Sequence, residues 1–192
     1  MIEELPTIAE IVHYWTVHEE ERGLGVDWSE AGTRCWRCGY KSRLQRCHIV
    51  PRSRGGTATV DNLVLLCRRC HREAPNVPDQ RFMWIWLRAT CVPFYDLYWT
   101  ARGAEVFHDM FGRPPFSGPE FTQDRIPEAL ALMRSQIARA TVHWGEDRMN
   151  PATIASILAL VEEKMTGRKP VPPTQSASGQ RLFKAAGWLK TA

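Results

Sequence analysis

The sequence predicts an α+β protein, predominantly α-helical, in which a small strand–strand–helix module pinned by four cysteines sits in a helical scaffold. Three observations carry that expectation. Cys35, Cys38, Cys67 and Cys70 form two Cys-x-x-Cys pairs with 28 residues between them, a metal-ligand spacing and not a disulfide framework. Between the pairs lie two segments of strand length, 44–50, which Pro51 ends, and the short apolar run 62–67. On both sides of the module, apolar residues recur at helical spacing, punctuated by capping residues, prolines and glycines.

Taken in order, Thr7 and Glu10 make a capping box, and Ile8, Ile11, Val12 and Trp15 share one face, so a helix is expected over residues 7–22, stopped near Gly23 and Gly25. Cys35-Trp-Arg-Cys38-Gly39 reads as a tight metal knuckle. Leu44 to Val50 reads as a strand ended by Pro51, and Ser53 to Thr59 as a glycine-containing loop. Asn62 to Cys67 is a second, buried strand, followed by a turn or short helix that cannot run far past Pro75. Further helices are expected after Asp79 as N-cap, from Pro93 toward Gly112, from Pro127 to before Gly145, and from Asn150-Pro151 to Gly167. Ala129, Leu130, Leu132, Met133, Ile137 and Ala140 form the apolar stripe of the third of these. Residues 169–180 have linker composition, and Arg181 to Lys190 suits a small docking helix. The expected organisation is an acidic N-terminal helix (1–30), a zinc module (31–78), a helical region (79–167), and a linker with a short C-terminal helix (168–192).

At 192 residues the chain suits one core of ordinary size, or a small core plus a metal-stapled module. No apolar run approaches the roughly 20 residues needed to cross a bilayer, and the N-terminus has no basic segment leading into an apolar one, so a cytoplasmic setting is expected. The net charge of +4 hides an asymmetry. Residues 34–72 hold ten basic side chains against Asp61 alone, a balance of +9, whereas residues 1–30 hold eight acids against Arg22, a balance of −7. A basic block coinciding with a metal motif points to a polyanion, although a solvated basic surface would give the same count.

Four thiolates in two such pairs meet the tetrahedral demand of zinc, and a site closed by four protein ligands holds a fold together without performing chemistry. A structural Zn2+ on Cys35, Cys38, Cys67 and Cys70 is therefore expected, with thiol redox chemistry as the competing use of Cys-x-x-Cys.

Between the pairs run Leu44-Gln-Arg-Cys47-His48-Ile-Val-Pro51-Arg52-Ser-Arg-Gly55-Gly56 and Asp61-Asn62-Leu-Val-Leu-Leu-Cys67-Arg-Arg-Cys70-His71. This stretch, about residues 35–75, resembles the HNH endonuclease family, whose zinc-bearing members carry a His-Ile-Ile-Pro-like strand end, a Gly-Gly loop, an Asn-Leu strand and a final Cys-x-x-Cys-His. The resemblance implies a β-β-α-metal module that hydrolyses phosphodiester bonds in nucleic acid, DNA first, leaving a 3′-hydroxyl and a 5′-phosphate. It implies that His48 is the general base, that Asn62 holds the His48 loop, and that His71 binds a catalytic divalent metal (Mg2+, Mn2+ or Zn2+). Arg52, Arg54, Arg68, Arg69 and Arg72 are the expected phosphate contacts. The residue types suit the chemistry: an imidazole exchanges protons near neutral pH, and an adjacent metal stabilises charge on the phosphate.

Read singly, each residue has a plainer role: His48 as packing, Asn62 as a turn residue, His71 as an alternative ligand of the structural zinc. One position departs from the family pattern. Where Asp or His is usual as a second catalytic-metal ligand, this chain has Cys47, a soft donor better matched to zinc than to magnesium or manganese. Cys47 could alter metal preference, leave ligation to His71, mark an impaired nuclease, or be a small buried strand residue. The alternative function is thus a catalytically impaired zinc module that binds nucleic acid through its arginines. A protein-interaction adaptor built on the acidic and tryptophan-rich helices is a third class.

Overall fold

The computed structural model describes residues 5–89, 91–92, 94–142 and 148–172. The chain divides into two compact units, residues 1–98 and 99–192.

In the first unit, α1 (Ile8–His18) opens on the expected capping box: Glu10 N donates to Thr7 Oγ1 at 3.2 Å and Thr7 N to Glu10 Oε2 at 2.7 Å. The helix ends at His18, short of residue 22, because the next residues are bonded elsewhere. Arg88 pairs with the Glu19 carboxylate and donates to the carbonyls of Glu20 (3.1 Å) and Arg22 (3.3 Å), and Glu19 is already extended. Ile11 and Trp15 are buried.

β1 (Leu44–His48) and β2 (Leu63–Cys67) form one antiparallel pair with Leu44 opposite Cys67 and His48 opposite Leu63. All five residues of β2 are buried. Its far edge is not left open: Trp15 Nε1 donates to Leu63 O at 2.7 Å, and the backbone N–H of Trp36 to Leu65 O at 3.0 Å. Those bonds satisfy outward-facing carbonyls that would otherwise cost free energy in a buried setting. Trp15 and Trp36, both buried, thus close the sheet as well as filling space.

α2 (Arg68–Glu73) begins directly after β2, with Cys67 as its N-cap, and stops at the extended Ala74, which precedes Pro75. α3 (Arg81–Ala89) follows Asp79, whose Oδ1 accepts from Arg81 N at 3.0 Å; its Met83 and Leu87 are buried.

α4 (Tyr98–Phe111) starts later than the expected Pro93, which lies outside the described residues. Asp96 takes a left-handed conformation (φ 66°), which no helix can run through. In the second unit α4, α5 (Ile126–Arg139) and α6 (Pro151–Thr166) enclose Phe107, Ala155, Leu158, Ile157 and Val161. Helix α6 has the expected bounds, with Asn150 Oδ1 accepting from Thr153 N at 2.8 Å and Gly167 (φ 70°) closing it. The stripe on α5 is used in part: Ala129, Leu132, Met133 and Ala140 pack inward, but Leu130 and Ile137 are exposed. Gly103 allows α4 its close approach to α6, since a Cβ there would lie 2.2 Å from Ile154 Cγ2. The buried Glu162 is answered by Arg113 (2.5 and 2.9 Å) and by Phe116 N–H (2.5 Å).

Residues 169–172 carry no regular structure; the rest of the expected linker and the segment 181–190 lie outside the described residues. Among the described residues no helix is long and apolar enough to cross a membrane.

Candidate metal centre and active site

Cys35 and Cys38 lie on a knuckle closed by Gly39 N to Cys35 O (2.9 Å) and Cys35 N to Tyr40 O (3.0 Å), with Arg34 bridging to Lys41. Cys67 is both the end of β2 and the N-cap of α2, where its Sγ accepts from Cys70 N at 3.4 Å. Strand, cap and first helical turn therefore deliver the second pair to the first. All four sulfurs are buried and lie within 4.8 Å of one another, with Cys38 and Cys67 at 3.9 Å. Zinc–sulfur bonds of about 2.3 Å place tetrahedral sulfurs about 3.8 Å apart. The four cysteines fit a metal such as zinc. Hydrogen bonds from Cys35, Cys38 and Cys70 hold Cys67 far below the ordinary thiol range, and those to Cys35 and its neighbours push Cys38 and Cys70 far above it. Metal binding would expel the protons that remain.

Beside this cluster, Arg37 is buried. It pairs with Glu73 at 2.5 Å and lies 4.0 Å from the Trp86 ring centre. It is thereby withdrawn from the basic block, as Arg34 is by Glu30 (3.1 Å). The acidic N-terminal residues Glu19 and Glu30 thus answer Arg88 and Arg34.

His48 ends β1, and the chain after it is held by one side chain. Asn62 Oδ1 accepts from Val50 N at 2.8 Å, while Asn62 Nδ2 donates to Val50 O (3.0 Å) and to Thr57 O (2.8 Å). The backbone adds Ile49 N to Asn62 O at 2.9 Å. These bonds end β1 at His48, two residues before the expected Val50, and start β2 at Leu63, one residue after the expected Asn62, because Val50 is bonded to the Asn62 amide instead of a strand ladder. Gly56 is required here: a Cβ would sit 1.8 Å from Val50 O and 2.8 Å from Asn62 Nδ2.

The partly buried His48 ring has its Nε2 atom buried with no hydrogen-bond partner among the described residues. Burial first, then the charges of Arg52 and His71, hold its pKa below the ordinary imidazole value, so the ring is neutral at neutral pH. His71 stands on α2 with Nδ1 2.8 Å from Gln45 Oε1 of β1, and burial lowers its pKa as well. Cys47 is 3% exposed, its thiol pushed up to about 12 by burial and then by the charge of Cys35. Among the described residues, the four cysteines are the one group of three or more His, Cys, Asp or Glu side chains close enough to share an ion. Arg52 and Arg54 are exposed on a single helical turn, and Arg68, Arg69 and Arg72 lie on α2.

Sequence reasoning missed Gln45 and the Arg37–Glu73–Trp86 group. Their contacts join residues far apart in the chain, and no local pattern signals them.

Residues 33–76, under a quarter of the chain, match the family model described as HNH endonuclease. No curated protein and no solved structure matches the chain. The matched span contains all four cysteines, His48, Asn62 and His71. With the four-cysteine cluster, it indicates a nuclease or nucleic-acid-related function with a metal site.

Proposed function

We propose that the HNH module hydrolyses phosphodiester bonds in DNA, with His48 as general base. The observation that carries this reading is His48 Nε2: a buried, unpartnered nitrogen on a ring kept neutral, at the end of a strand whose following loop is strapped by Asn62. A buried polar atom without a partner calls for an explanation, and an attacking water supplies one.

In the proposed step His48 Nε2 accepts a proton as the water oxygen bonds to phosphorus. The P–O3′ bond breaks, and the departing oxygen takes a proton from solvent. Asn62 keeps the loop after His48 from drifting, so the base meets its water in one geometry. Arg52, Arg54, Arg68, Arg69 and Arg72 hold the flanking phosphates. A divalent cation beside His71 would supply Lewis-acid stabilisation of charge on the phosphate and leaving oxygen. A structural zinc on the four cysteines would hold His71 and β1 together.

The test is plasmid DNA incubated with purified protein and Mg2+, Mn2+ or Zn2+ in turn. Nicked or linear product is expected, reduced roughly 100- to 10,000-fold by His48→Ala. Full cleavage by His48→Ala would sink the assignment. One observation favours the second reading, a nucleic-acid-binding module without activity: Cys47 is a buried, protonated thiol where the family has a metal ligand. Salt-sensitive binding with no cleavage in any metal would select it.

A further inference from the structure

Resting on the nuclease reading, the contact between α2 and β1 assigns a role to a residue that the sequence motif does not mark. His71 Nδ1 and Gln45 Oε1 are 2.8 Å apart. An amide oxygen only accepts, so a ring nitrogen facing it must carry the proton, and the lone pair of a neutral ring is then on Nε2. Metal-binding histidines are commonly fixed in this way, with one ring nitrogen donating to a carbonyl or carboxylate while the other faces the ion. Helix α2 is only six residues long, and its register alone does not set the rotation of an exposed-side imidazole. Gln45 shares its strand face with Cys47, two residues on, whose sulfur is sealed at 3% exposure. With a soft and sealed donor at that position, more of the task of presenting a nitrogen to a cation falls on His71.

We infer that Gln45 is a positioning residue, holding His71 as the Nδ1–H tautomer so that Nε2 is the atom presented to a divalent cation. Gln45 itself touches neither cation nor phosphate.

The experiment uses the full chain at about pH 8, where neutral imidazole dominates. Nitrogen-15 shifts of the His71 ring should report Nδ1–H in the wild type. Gln45→Leu should redistribute the proton toward Nε2, and Gln45→Glu, which keeps an acceptor, should restore the wild-type tautomer. Added Mn2+ should broaden the His71 ring signals, and the concentration required should rise roughly 10- to 100-fold in Gln45→Leu but only a few-fold in Gln45→Glu. An Nε2–H tautomer in the wild type, an unchanged tautomer in Gln45→Leu, or no broadening by Mn2+ would each overturn the assignment. The Gln45 side chain is exposed, so folding should survive its replacement. If it does not, the wild-type tautomer and Gln45→Glu still decide. None of these readouts needs cleavage, so an inactive wild type would defeat the nuclease reading while leaving the Gln45 assignment to stand or fall by itself.

Discussion

The four-cysteine cluster and the His48 loop lie in one small module, yet they are built in opposite ways. The cluster is closed: four buried sulfurs lie within 4.8 Å of one another, brought there by two short turns whose geometry is set within four residues each. The His48 site is open: its nitrogen faces no protein partner, and the loop behind it depends on three bonds from one amide 12 residues away. A closed site can contribute stability and little chemistry; an open one can do chemistry and contributes little stability. The largest test of that contrast removes the metal. Structural zinc in small modules supplies roughly 10–16 kcal/mol at neutral pH. Cys70→Ser, or chelation, should therefore unfold the module and abolish metal content, followed by circular dichroism and elemental analysis. A Cys70→Ser chain with unchanged melting and metal content would show that the sulfurs do not hold the ion.

His48→Ala should do the reverse, removing cleavage while leaving metal content and melting as they were. Asn62→Ala belongs between the two. It leaves the Val50 N–H and C=O, half-buried, without their side-chain partner, a cost of about 1–3 kcal/mol. It also frees the loop that carries the base. We expect retained metal, a lower melting temperature, and a fall in cleavage that Asn62→Asp does not restore, because a carboxylate cannot replace the two Nδ2 donations. Equal melting for Asn62→Ala and wild type would mean that the strap is not needed to hold the loop.

The same contrast explains what was legible in the sequence. Cys-x-x-Cys pairs, the Asn150 and Gly167 caps and the Thr7–Glu10 box act over three or four residues, so spacing alone reveals them. The two strands were legible, one from the stop at Pro51 and the other as an apolar run. Their loop-side ends, His48 and Leu63, were not, because Val50 and Asn62 leave the ladder to make the strap. The early end of α1 was also hidden, since it depends on Arg88, 69 residues beyond Glu19 in the chain. Two of the six stripe residues on α5, Leu130 and Ile137, face solvent, a choice that periodicity cannot make: it marks an apolar face but not which of its members find a neighbour. In the candidate site, the cysteines are nameable from spacing, and His48, Asn62 and His71 only through the resemblance of their stretch to the HNH family. Gln45 is an ordinary strand residue until α2 folds back beside it. Arg37 reads as one more basic residue until Glu73 and Trp86 enclose it.

The smallest effect expected is the most direct probe of the open site's electrostatics. Burial is the larger cause of the low His48 pKa, and the charge of Arg52 the next. Removing that charge by Arg52→Ala relieves the repulsion felt by imidazolium, so the pKa should rise while staying below or near the ordinary value. As base, His48 works in its neutral form. Wild-type cleavage should be level at neutral pH and fall only on acidification below the usual imidazole range, and in Arg52→Ala the fall should begin at higher pH. If Arg52 also contacts a phosphate, the slope of log binding against log salt should drop by ~0.9. A pH profile that moves without the salt slope would place Arg52 beside the base but away from DNA. A slope that moves without the profile would place it on the backbone alone, and movement of neither would remove it from the site.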